Sequence, residues 1–166
     1  LIPDVSDEFN ARMDLSKYNY LKSGRNPWQD PYWYRTEVVL PKSYKGKKVW
    51  LTLNGINYRA DVWVNGRQVA DKKDIVGMFR RFKLDITGYA RAGANNCIAI
   101  KIYQVDHPGV PTPGTQLKVF GPVRGHSYDI FKDETLKISG GWDCAPVVRD
   151  RNMGIYQKVI VEATDE

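Results

Sequence analysis

Histidine and cysteine are scarce in this chain, with two of each among 166 residues. His107 and His126 stand apart from each other and from Cys97 and Cys144, at none of the spacings with which Cys, His and carboxylates grip a transition metal. Each histidine reads as a surface-loop residue, and neither a metal nor another cofactor is expected. Two cysteines leave one disulfide or none open, with a free buried thiol the commoner state for so few. No apolar run approaches the ~20 residues that a membrane helix requires, so no membrane partner is expected. There is no glycine-rich phosphate loop and no serine nucleophile elbow. Long amphipathic helices, internal repeats and low-complexity tracts are also missing. Glycoside chemistry would need two carboxylates on rigid supports, ~5–9 Å apart. Asp143 and Asp150 share one loop, while Asp133 and Glu134 are adjacent and point apart on any regular element. The chain is therefore not expected to be catalytic by itself.

What is present is β-structure. Val49, Leu51 and Leu53 alternate with Trp50 and Thr52; Val62 and Val64 alternate with Asp61 and Trp63; Ile98, Ile100 and Ile102 alternate with Ala99, Lys101 and Tyr103. Period two is the signature of a half-buried strand. Tyr32–Leu40, Phe82–Ile86 and Ile155–Glu162 read the same way, and Asn65-Gly66 is a hairpin turn that returns the chain through Arg67–Val69. Helical signals are limited to one turn over Asp85–Arg91, capped by Asp85 or Thr87, and a weak candidate over Ser127–Leu136. The fold class is all-β, an antiparallel β-sandwich whose strand count fits a jelly roll. Residues 1–166 form one such domain, with an irregular segment over 1–30 and a long Pro/Gly loop over 105–126. The first residue, Leu1, is not Met, so the chain reads as processed or as a piece of something longer.

The net charge is +6. Its densest patch, Lys42, Lys45, Lys47 and Lys48, reads as a solvated turn that guards a strand edge. Arg80, Arg81 and Lys83 form a second cluster. Neither is a nucleic-acid-binding motif, and no nucleic-acid partner is expected.

The chemistry concentrates in Gly140-Gly141-Trp142-Asp143-Cys144-Ala145-Pro146 and Asp150-Arg151-Asn152-Met153-Gly154-Ile155-Tyr156. An aromatic face stacks on a pyranose, and carboxylates and amides take its hydroxyls. The plainer reading makes Trp142 a core residue that caps the sandwich. Trp142, Asp143, Asp150, Arg151 and Asn152 are the candidate substrate-binding residues.

Asp30-Pro31-Tyr32-Trp33-Tyr34-Arg35-Thr36-Glu37, then Leu53-Asn54-Gly55-Ile56-Asn57-Tyr58-Arg59-Ala60-Asp61-Val62-Trp63-Val64-Asn65-Gly66, resembles the N-terminal sugar-binding domain of glycoside hydrolase family 2. The resemblance runs over residues 26–162, and the closing Gly141-Trp142-Asp143 and Asp150–Tyr156 segments look most like the β-mannosidase and exo-β-glucosaminidase branch. It implies a jelly roll that packs beside a catalytic TIM barrel, with an immunoglobulin-like domain between them in sequence. The two catalytic glutamates would belong to the barrel. Asp143 would contact sugar hydroxyls, Trp142 would wall the pocket, and Asp150, Arg151 and Asn152 would brace the loop or the domain interface. The expected partner is the terminal glycosyl residue of a carbohydrate, and the expected location is periplasmic or extracellular. Two departures stand out: Cys144 replaces an aromatic, and relatives carry a strand ahead of the point where this chain begins. On the residues alone, Arg35 and Glu37 could join a buried ion network, Asp61 and Trp63 share a strand face, and packing is the default role of all four. Asn65-Gly66 reads as a turn device and nothing more. A free-standing carbohydrate-binding module stacking glycans on Trp28, Trp33, Trp63 and Trp142 is the alternative, and a protein-interaction sandwich would require those aromatics to be buried.

Overall fold

A computed structural model describes residues 30–107, 132–136 and 153–165. Nine strands are described: β1 (Tyr32–Val39), β2 (Lys48–Leu53), β3 (Ile56–Asn57), β4 (Arg59–Val64), β5 (Arg67–Ala70), β6 (Phe82–Asp85), β7 (Asn95–Tyr103), β8 (Gly154–Ile155) and β9 (Val159–Thr164). They form a four-stranded sheet in the order β1-β7-β4-β5, a three-stranded sheet in the order β6-β2-β9, and the short pair β3-β8. Every pairing is antiparallel. Among the described residues no helix is long and apolar enough to cross a membrane.

The alternation of the sequence becomes the two sides of each sheet. Ala60, Val62 and Val64 of β4 and Ile98, Ile100 and Ile102 of β7 turn inward from the four-stranded sheet, while Leu51 and Leu53 of β2 meet them from the other. Each of the buried Val, Leu and Ile side chains contributes about 1.5–3 kcal/mol through removal from water. The antiparallel sandwich stands as expected. The lysine patch is also a solvated turn, with a short 3-10 turn at Lys42–Tyr44 ahead of Lys48. Asp85 caps the turn that follows β6, its Oδ1 accepting the Thr87 N–H at 2.9 Å. A cleft of about 430 Å³ lies between these two turns, lined by Lys45, Lys47, Lys48 and Asp85.

Four expectations need correction. The run Ile155–Glu162 is not one strand. It breaks after Ile155 because the Gly55 carbonyl accepts the N–H groups of both Tyr156 and Gln157, so β8 and β9 enter different pairings. Of the Ser127–Leu136 helical candidate, residues 127–131 lie outside the described residues, Lys132 is in a 3-10 turn, and residues 133–135 bend instead of continuing as helix. Arg35 and Glu37 do pair, but with side chains 61% and 47% exposed they form no buried network. The Asn65-Gly66 turn has the two positive φ angles of a tight hairpin, 50° and 81°, yet Asn65 does more than turn. Its Nδ2 donates to the Tyr89 carbonyl at 2.7 Å and to Asn96 Oδ1 at 2.8 Å, and its Oδ1 accepts the Cys97 N–H at 3.0 Å. Cys97 itself is a free, half-buried thiol.

On the outer face of the four-stranded sheet, the Tyr103 hydroxyl donates to Asp61 Oδ2 at 2.6 Å. Burial, with the Asp61 carboxylate behind it, pushes the Tyr103 phenol up to about 12. The folded chain thus keeps this proton longer than the unfolded chain does. The stability it carries is whole below pH ~10 and is lost as pH climbs toward 12. In an ultraviolet phenolate titration, Tyr103→Phe is expected to remove one tyrosine that ionises near pH 12; an unchanged late phase would contradict that assignment.

Candidate functional site

The short β3-β8 pair gathers buried polar groups beside the closing segment. Ile56 pairs with Ile155 and Asn57 with Gly154. Gly154 takes φ 138°, a conformation open to glycine and strained for other residues. Met153, just before it, is fully buried.

Asn57 is also fully buried, and the Asn57–Tyr58 peptide is cis. Thr135, itself buried, donates its hydroxyl to Asn57 Oδ1 at 3.0 Å. Two residues earlier, the buried Asp133 receives the backbone N–H of His107 on Oδ2 at 2.7 Å, and its Oδ1 lies 2.7 Å from His107 Nδ1. The imidazole is about half exposed and its partner carboxylate 2% exposed, so the protein holds the ring by one nitrogen and presents the rest outward. His107 is an exposed loop residue, as the sequence reads, and it also has a carboxylate partner in Asp133. Asp133 and Glu134 do point apart: Asp133 is buried and Glu134 exposed. Tyr58, buried here, has its phenol pushed upward mainly by burial, although its oxygen accepts the Glu134 N–H.

Two glycines permit the close approaches that assemble this region. Gly77, at φ 100°, leaves room for Glu134 Oε2, which would lie 2.6 Å from a Cβ there. The carbonyl of Tyr58 accepts the Gly77 N–H and that of Glu134 accepts the Met78 N–H. At Gly55 a Cβ would fall 2.6 Å from Tyr156 Cζ and from Gln157 Cγ. The Tyr156 ring closes against Gly55 and donates its hydroxyl to the Met78 carbonyl. Gly55→Ala is expected to displace that ring and cost about 1–3 kcal/mol, the usual range for overpacking, measured by urea unfolding. A loss below ~0.5 kcal/mol would show that Tyr156 yields freely.

Of the residues singled out from sequence, Trp142, Asp143, Asp150, Arg151 and Asn152 lie outside the described residues, as do Cys144 and Trp28. The described part of the candidate site is the polar cluster of Asn57, Thr135 and the Asp133–His107 pair; Asn57 pairs with Gly154, which follows Asn152 by two residues in sequence. Reading the sequence passed over these four as site residues. Asn57 had a signal, a polar residue in the otherwise apolar Gly55-Ile56-Asn57-Tyr58 step. The chemistry of the cluster is that of hydrogen-bond donors and acceptors held rigid by burial. Among the described residues no group of three or more His, Cys, Asp or Glu could hold a metal ion.

The antiparallel all-β sheets are those of a galactose-binding-like β-sandwich domain. Residues 17–157 match the family model described as glycosyl hydrolase 2 galactose-binding domain-like, and the chain belongs to that family. It is 32% identical over 160 residues to the mannosylglycoprotein endo-β-mannosidase of Lilium longiflorum, covering 96% of this chain and 15% of that protein. It is 31% identical over 132 residues to an exo-β-D-glucosaminidase of Amycolatopsis orientalis, covering 79% of this chain and 10% of that protein. The crystal structure of the Amycolatopsis orientalis exo-chitosanase superposes on 93% of this chain and 16% of its own, with a TM-score of 0.59 and 27% identity. The chain thus spans only 10–15% of the length of these curated relatives.

Proposed function

We propose that this chain is the non-catalytic sugar-binding and scaffold domain of an exo-acting glycoside hydrolase, and that it lends Asp143 and Trp142 to the terminal-sugar subsite of a separate catalytic barrel. The observation that carries the proposal is the family match, which runs across residues 142–152 in a chain far shorter than its relatives. Asp143 would accept hydroxyl protons from the sugar and Trp142 would cover its apolar face. Asp150, Arg151 and Asn152 would brace the loop or the domain interface. The barrel and an immunoglobulin-like domain would follow in the same polypeptide. A periplasmic or extracellular site of action goes with this reading, because polymeric glycans are met outside the cytoplasmic membrane. The reading frame beyond the codon for Glu166 tests the proposal. The expected continuation is a ~250-residue barrel with two glutamates at strand ends. A frame that encodes no such barrel would overturn the subsite role and leave a free-standing module.

A further inference from the structure

We propose that the outer face of the four-stranded sheet is a second binding site, for a polysaccharide that carries uronic acids at intervals. The register builds the platform. Trp33, Lys101 and Asp61 lie in one outward row across β1, β7 and β4; Arg35, Ala99 and Trp63 lie in the next. Trp33 and Trp63 are on strands that flank β7, and the small side chain of Ala99 leaves the space between them open. The two indoles lean together over it, with ring centroids 4.9 Å apart and planes tilted by 38°. Trp33 remains 57% exposed and joins the partly exposed Trp63 in one apolar patch rimmed by charged groups, the composition of a binding surface.

Positive charge is interleaved with these rings. Lys101 Nζ lies 5.4 Å from the Trp33 centroid and 5.2 Å from that of Tyr103, and Lys72 Nζ lies 4.7 Å from Tyr103 on the way to a cleft of about 340 Å³ that also holds Lys73 and Gln104. The carboxylates of the same face are already engaged. Glu37 is held by Arg35 and Asn95, Asp106 by Arg59, and Asp61 by the Tyr103 hydroxyl and the Lys72 N–H. Among the described residues neither Lys101 nor Lys72 pairs with a carboxylate. The face therefore presents aromatic rings with ammonium groups against them that no carboxylate pairs, in a chain of net charge +6. Pyranose rings fit the indoles, and spaced carboxylates fit the ammoniums. Two ammonium groups, Lys101 and Lys72, match carboxylates at intervals better than a strand with a phosphate at every unit, so nucleic acid is the poorer occupant.

No residue of this face falls in the Gly140–Pro146 segment of the sequence, and its test does not rest on the proposed subsite role. The intact 166-residue chain is titrated with a hyaluronan hexasaccharide, which bears an acid on alternate sugars, and tryptophan fluorescence and heat are followed. Binding that weakens as salt rises is expected. Trp33→Ala should abolish it, and Lys101→Met, which keeps the aliphatic stem, should weaken it several-fold. Trp33 is exposed, so that variant should fold, which circular dichroism checks; Lys101→Met is the second probe. No binding, equal binding of neutral cellohexaose, tighter binding of oligothymidylate, or indifference to both substitutions would each overturn the proposal.

Discussion

Asn65→Asp is expected to destabilise the domain by about 3 kcal/mol or more, although aspartate tolerates a left-handed turn position nearly as well as asparagine. The cost lies in the side chain. Asparagine directs its Nδ2 donor at two acceptors, the Tyr89 carbonyl and Asn96 Oδ1. Aspartate would direct an oxygen at both. Asn96 cannot flip to help, because its own amide is fixed: Nδ2 donates to the Arg91 and Ala94 carbonyls and Oδ1 accepts the Arg91 N–H. The variant would hold a half-buried carboxylate against two oxygens. Asn65→Gly separates the contributions, since it keeps the turn and removes the hydrogen bonds without adding charge, and it should fall between wild type and Asn65→Asp. Urea unfolding at neutral pH measures all three. A loss under ~0.5 kcal/mol for Asn65→Asp would return Asn65 to a turn residue only.

The second large effect follows from the proposed function and is on catalysis by the glycosidase to which this chain would belong. If Asp143 takes sugar hydroxyls, its removal deletes one or two charge-assisted hydrogen bonds, each of about 1.5–3 kcal/mol. That corresponds to a fall in kcat/KM of roughly tenfold to a hundredfold or more for Asp143→Ala. Asp143→Asn keeps one acceptor oxygen and should recover part of the loss. The division between KM and kcat tells whether the contact is made equally in ground and transition states or mainly in the latter.

Strand positions were legible in the sequence wherever one face is buried and the other wet. Period two marks β2, β4 and β7, since a slip of one residue would turn the core outward. The break between β8 and β9 was not legible, because Ile155–Glu162 reads as one run and the interruption comes from the Gly55 carbonyl, distant in sequence. The same holds for the polar cluster of the candidate site. His107 and Asp133 are 26 residues apart, and no local spacing announces a pair that only the fold brings together. Asn65 shows the reverse failure: its local signal was strong enough to hide its tertiary contacts. The family motifs, in contrast, were legible because their fixed residue types recur at several places along one chain, and the match over residues 17–157 agrees with them.

The most direct test of the central claim is the kcat/KM of that glycosidase carrying Asp143→Ala, measured on an aryl β-glycoside that the wild-type enzyme cleaves, beside the unfolding midpoints of both proteins. A sugar-contacting Asp143 predicts a loss of at least about tenfold in kcat/KM with an unchanged midpoint. An unchanged kcat/KM in a folded variant would contradict the subsite role and leave the domain a scaffold.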